Sequence, residues 1–269
     1  MRTATAKGGT AGTGAPRVPA SATRPPAARF TPASFAFLRG LAENNAKPWF
    51  EAHRASYEGD VREPLLALVE DVDARLGDVA PEMVGDRKRS VFRIHRDVRF
   101  GKDKRPYKTN AACWFFHRDV RRARGGEGSD ATGSAVHGGA GFYFQIAPDD
   151  CWCGGGLWMP PREALAHVRD RLTARHEEWE AIVGAPAFRR RFGALDAAAV
   201  LTRVPRGYAP DHPAAAWLRY RSFTAGRQLS EDQALAPKLA DRLVKDFAVL
   251  LPMVRWLNDA LGFRTAERR

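Results

Sequence analysis

The sequence predicts an α+β fold in a single domain, with a central antiparallel sheet of about four strands flanked by N-terminal and C-terminal helices. Three observations carry this expectation. Apolar residues repeat at helical spacing in the first third of the folded region and again in the last third. Between those parts the apolar period falls to two. The strand-like segments also follow one another through turns with no helix between them, which favours antiparallel pairing. At 269 residues, 44% hydrophobic, the chain can bury a full core.

Residues 1–29 are mostly Ala, Thr, Gly, Pro and Arg, with almost nothing to bury, and read as a disordered basic tail. The domain is expected over 30–262. Thr31 is a good N-cap and Pro32 a good first helical residue, with Phe35, Leu38 and Leu41 following at helical spacing. Asn44-Asn45 ends that helix. Pro48 opens a second helix with Trp49, Phe50 and Tyr57 as anchors. Pro64 opens a third, whose stripe is Leu65, Leu68, Val69, Val72 and Leu76. From Ser90 the pattern alternates. Phe92, Ile94, Val98 and Phe100 fall on one face of an expected strand, and Arg93, His95, Asp97 and Arg99 on the other. Ala112–His117 reads as a second strand, Phe142–Ile146 as a third and Cys151–Met159 as a Gly-broken fourth. The intervening 119–140 is rich in Gly and Arg and reads as a mobile loop. A long helix follows Pro160-Pro161, and a helix or turn carries Phe188 and Phe192. Leu201–Val204 is expected as a short strand, 214–220 as a helix and 235–261 as the last helix. Residues 263–269 form a basic C-terminal tail.

No apolar run approaches the roughly 18 residues that a spanning helix needs, so no membrane association is expected. Three cysteines, two of them one residue apart, make no disulfide framework, and a reducing, cytoplasmic setting is the natural expectation. The net charge is +12. It is unevenly spread: residues 87–108 alone carry ten Lys or Arg against Asp97 and Asp103. Of eight Lys in the chain, Lys88, Lys102, Lys104 and Lys108 lie in this stretch. Tail and loop contribute most of the remaining excess, so the body of the protein is mildly acidic.

The basic stretch is the candidate site, and Arg93, Arg96, Arg99, Lys104, Tyr107 and Lys108 are its candidate ligand-binding residues. Arg93, His95, Asp97 and Arg99 are expected to project together from the strand, about 6.5–7 Å between successive members, while Arg96 falls among the apolar set. Such an array suits phosphate or carboxylate groups through charge-assisted hydrogen bonds. Asp97 is a candidate to orient an Arg fork or to act as a base. An anionic small molecule or a nucleic acid is the expected partner class. A purely structural ion-pair network is the competing reading. His212, in a turn stiffened by prolines, is the second proton-transfer candidate. It equally suits a cap at the start of the following helix.

The spacing RxxRDxRFxxDKxxY, running from Arg93 to Tyr107, resembles the signature of an uncharacterised conserved family known as domain of unknown function 2461. Similar features are Phe30-Thr31-Pro32, Asn44-Asn45, Trp49-Phe50, Gly141 to Gln145, Gly155 to Trp158, Pro205 to Tyr208 and His212-Pro213. The resemblance spans about Phe30 to Gly262 and implies no reaction. Cys151-Trp152-Cys153 is neither a zinc nor a redox spacing, and no metal site is expected. Gly154-Gly155-Gly156 lacks the following Lys of a phosphate loop and suits close backbone approach or a bulge. The sequence names no cofactor and no oligomeric state.

Overall fold

The structure, a computed structural model, describes residues 29–99, 103–120 and 138–265. The expected disordered tail and most of the expected mobile loop lie outside the described residues.

The chain enters through α1 (Pro32–Glu43) and α2 (Lys47–Ala52). At the start of α1 the Ser34 hydroxyl accepts from the Thr31 backbone N–H at 3.0 Å, so the entry is fixed by local chemistry. A π-helical turn, Tyr57–Arg62, leads directly into α3 (Glu63–Val79), whose predicted stripe from Leu65 to Leu76 is buried.

The sheet has five strands, in sequence order and antiparallel throughout. They are β1 (Met83–Val84), β2 (Ala111–His117), β3 (Gly141–Ile146), β4 (Cys151–Leu157) and β5 (Phe223–Leu229). Three expected strands survive as β2, β3 and β4, while β1 and β5 are additional. The expected strand at Phe92–Phe100 is a correction. Its described part bends at Ile94 and Arg99 and makes two isolated bridges, Val91 to Cys113 and His95 to Tyr107. The register explains this. Phe92 N–H donates to Ala112 O (3.0 Å), and Lys108 N–H donates to Ile94 O (2.8 Å). Arg93 on one arm thus faces three residues on the other, and the bulge at 109–111 breaks the ladder. Leu201–Val204 is likewise no strand; the only bridge there joins Val200 to Tyr220.

Between β4 and β5 lie α4 (Arg162–Gly184), α5 (Pro186–Phe192) and the short α6 (Ala215–Leu218). After β5 come α7 (Glu231–Leu235), an additional short helix, and α8 (Leu239–Ala260), the terminal helix expected over 235–261. Helix α8 lies across the inner face of the sheet. Phe247 stacks on Phe142 at 4.6 Å between ring centroids and leans on Phe115 at 5.6 Å. That face also buries Cys113, Phe144, Cys151, Cys153, Leu157, Phe223 and Ala225. The outer face has its own, smaller cluster of Trp114, Phe116 and Val120, covered by Val84, Phe92 and Phe263. This cover stops short of β4 and β5. No helix among the described residues is long and apolar enough to cross a membrane.

Candidate functional site

The register between β2 and β5 determines what stands on the outer face. Trp114 pairs with Tyr143, Tyr143 with Gly154, and Gly154 with Gly226. One row of the sheet therefore runs from two aromatic side chains to two glycines. Trp152 lies over those glycines. A Cβ on Gly226 would sit 2.0 Å from the Trp152 ring, and one on Gly154 2.3 Å. Neither position can carry a side chain while the indole lies flat. In the next row Gly156 has φ +126°, a conformation that L side chains rarely adopt.

This arrangement leaves a cavity of about 320 Å³ walled by Trp114, Tyr143, Trp152 and Trp158. Gln145, Asp150, Asp196 and Thr224 supply its polar lining. Gln145 is held from both ends. Its Oε1 accepts from Asn110 Nδ2 (3.0 Å) and from the Tyr143 hydroxyl (2.8 Å), and its Nε2 donates to Asp150 Oδ2 (2.9 Å). Burial pushes the Tyr143 hydroxyl well above the usual tyrosine range, so it stays a donor. Asp196 is pinned beside β5: its N–H donates to Thr224 O (2.8 Å), and its Oδ1 accepts from Ala198 N–H (2.8 Å). None of the cavity's lining residues is Lys, Arg, His or Cys. Its chemistry is recognition by aromatic faces and oxygen acceptors.

The basic stretch divides into a wall, a tip and an anchor. Arg93 and Lys108 line a small hollow with Phe92, Asn110, Ala112 and Tyr143. Tyr143 lines this hollow and the aromatic cavity alike. The Lys108 ammonium lies 5.6 Å from the Phe92 ring centroid, and Phe92 lies 5.9 Å from Tyr143. At the tip Arg99 grips Asp97, with Nη2 2.6 Å from Oδ2 and Nε 3.0 Å from Oδ1. Arg105 grips Asp103 in the same way at 2.7 and 3.0 Å. These guanidinium groups hold both carboxyls well below the usual carboxylate range. Arg96 Nη1 lies 3.4 Å from Asp103 Oδ2, and Lys104 donates to Val98 O (2.9 Å). Tyr107 is the anchor. Buried, it stacks on Phe50 at 4.3 Å, and Asn45 takes its N–H and caps its carbonyl at 3.0 and 3.1 Å.

His212 stands apart from this assembly. Its Nδ1 accepts from Ala214 N–H (3.0 Å), capping the start of α6, and its ring packs edge-on against His176 at 5.7 Å. Among the described residues, no group of three or more His, Cys, Asp and Glu is placed to hold a metal. All three cysteines are free and buried, and burial pushes the Cys113 and Cys153 thiols up, away from nucleophilic use.

The residues that reasoning from sequence missed are those of the cavity itself. Trp114, Tyr143 and Trp152 stand at outward positions of three successive strands, opposite inward-facing apolar neighbours. Aromatic side chains on both faces of a strand were the available signal.

Fold and site define an α+β protein with an aromatic cavity on the open face of an antiparallel sheet and a basic hairpin bridged to β2. The family model described as "Conserved hypothetical protein (DUF2461)" matches residues 33–256, and the chain belongs to that family. No curated protein and no solved structure matches it.

Proposed function

We propose that the cleft binds a small organic anion, with the negative group against Arg93 and Lys108 and an unsaturated ring in the aromatic cavity. A nucleotide is the ligand class that suits both halves. The observation that supports this reading is that Tyr143 lines both the cationic hollow and the cavity. The cavity volume, about 320 Å³, falls within the range of small-molecule sites. Stacking on such rings is worth about 1–3 kcal/mol per base, and each charge-assisted contact about 1.5–3 kcal/mol.

The other two readings are weaker on specific grounds. A long polyanion would meet Asp150 and Asp196 on the same face, which disfavours nucleic acid. The ion-pair network accounts for the tip, where Arg99 and Arg105 are engaged by Asp97 and Asp103, and leaves the aromatic cavity unexplained. In the proposed division Arg96, Arg99, Lys104 and Tyr107 shape the hairpin, Asp97 orients Arg99, His212 caps a helix, and Arg93 and Lys108 face the ligand. The reading assigns a binding site and no reaction.

The test is titration of the full-length protein with adenosine monophosphate, followed by tryptophan fluorescence and calorimetry. Saturable quenching is expected, abolished in Trp152→Ala and weakened tenfold or more in Arg93→Gln/Lys108→Gln. Adenosine, lacking the phosphate, is expected to bind at least tenfold more weakly. Absence of saturable binding, or equal affinity for adenosine, overturns the reading.

A further inference from the structure

The end of the cavity remote from Arg93 and Lys108 has an opposite polarity that the proposed function leaves unused. Asp196 lines that end and forms no ion pair with a described Lys or Arg. Its Oδ1 accepts from Ala198 N–H, and its Oδ2 has no hydrogen-bond partner among the described residues. Beside it, accepting from Asp196 N–H through its backbone carbonyl, stands Thr224. It is 7% exposed, it lines the cavity, and its Oγ1 has no hydrogen-bond partner among the described residues. A buried hydroxyl left without a partner costs free energy, which a ligand group in reach would recover.

We infer that this end reads the ring edge of the ligand and selects rings carrying an amino group. The inference rests on the cleft reading and refines it. A carboxylate accepts from an exocyclic amine, as in the pairing of Asp with the cytosine N4 amine, and repels a carbonyl at the same position. Asp196 is the residue that makes the distinction. Its backbone is tied to Thr224 by the 2.8 Å bond from its N–H, so its carboxylate is held at the cavity rim. Thr224 supplies the second contact, donating to a ring nitrogen or accepting from the amine. The reach is consistent. Thr224 stands two strands across and two residues along from Tyr143. At a strand spacing of ~4.8 Å and a rise of ~3.3 Å this is roughly 12 Å. That is the span from a phosphate-bearing sugar to the far edge of a base, rather than the span of a base alone.

Two nucleotide pairs that differ by amine against carbonyl test this: adenosine against inosine monophosphate, and cytidine against uridine monophosphate. The full-length protein is titrated with each by calorimetry. The amino member of each pair is expected to bind at least tenfold tighter. Asp196→Asn, which keeps an acceptor for Ala198 but offers the ligand a donor, is expected to bring each pair within threefold. Thr224→Val is expected to weaken all four alike, and its melting curve reports whether the fold is kept. Equal affinities within each pair overturn the inference and leave the cleft reading intact. Discrimination that persists unchanged in a folded Asp196→Asn overturns the assignment to Asp196. Failure of all four nucleotides to bind overturns the cleft reading, and this inference with it.

Discussion

At the tip of the hairpin the same local device appears twice. Asp97-Val98-Arg99 and Asp103-Lys104-Arg105 each fold so that the carboxylate accepts the backbone N–H two residues on and the guanidinium of that residue. Six positions separate the two clips, and Arg96 reaches Asp103, tying the tip together. The repetition is visible in the sequence as Asp-x-Arg twice, but its meaning is not, because charge counting treats the four groups as free. Next to the tip, His95 leans on Tyr107 and Phe50 at 5.1 and 6.2 Å. Burial, then the positive charge of Arg93 and Arg54, lowers its pKa below the ordinary 6.5. The unfolded chain takes up this proton as pH falls through 6.5, and the folded chain only further down. Stability is therefore expected to fall as pH drops below 6.5. His95→Gln should flatten that part of a plot of Tm against pH between 7 and 5; an unchanged slope would refute the assignment. Across the sheet, Gly226→Ala forces the Trp152 ring away from a Cβ that would lie 2.0 Å from it. A stability loss of about 1–3 kcal/mol is expected in chemical denaturation. Red-shifted tryptophan emission should accompany it as the indole lifts into water.

At the scale of elements, legibility followed locality. Helix α3 was readable because its start at Pro64 and its stripe from Leu65 to Leu76 are both written within 17 residues. Strand β5 was not. Phe223, Ala225, Arg227 and Leu229 alternate with Thr224, Gly226 and Gln228, so an inward Arg and an outward Gly blur the period. The segment expected as a strand at Phe92–Phe100 failed for a related reason: its alternation is genuine, but its partner arm carries the bulge at 109–111. That bulge has a use, since Asn110 projects from it to Gln145 and Lys108 to the hollow. The hairpin as an element depends on Asn45, which joins it to the α1–α2 corner by two bonds to Tyr107. Asn45→Ala leaves both Tyr107 backbone groups without these partners and is expected to cost about 1–3 kcal/mol. Hydrogen exchange should then accelerate at residues 93–108 before it does so in β3 and β4. Uniform acceleration would mean that the hairpin is no separate unit.

Over the whole molecule one buried carboxylate joins four elements. Asp246 of α8, 0% exposed, is met by Arg191 of α5 and by Arg227 of β5, the latter at 2.7 Å, and accepts from Cys153 Sγ of β4 at 3.3 Å. Removing one partner of a buried pair leaves the others unneutralised. Asp246→Ala is expected to cost about 3–5 kcal/mol in chemical denaturation. A loss below 1 kcal/mol would show that the two guanidinium groups find water without it. This knot could not be read from the chain, because register between distant elements assembles it, while of the cleft only the outward aromatics of β2, β3 and β4 were legible.

The lateral order of the sheet carries one more consequence, for how the protein folds. Strands β2, β3 and β4 are joined by adjacent connections, whereas Leu157 of β4 waits for Phe223 of β5, 66 positions further along. Closing that loop is an entropic barrier of its own, and contacts of high sequence separation slow folding. Thr224, and the backbone bond that fixes Asp196, arrive only with β5. The three-stranded meander has its pairing partners close in sequence, whereas the end of the cleft at Thr224 waits for β5. Under the proposed function, nucleotide binding during refolding is expected to appear only once β5 has docked.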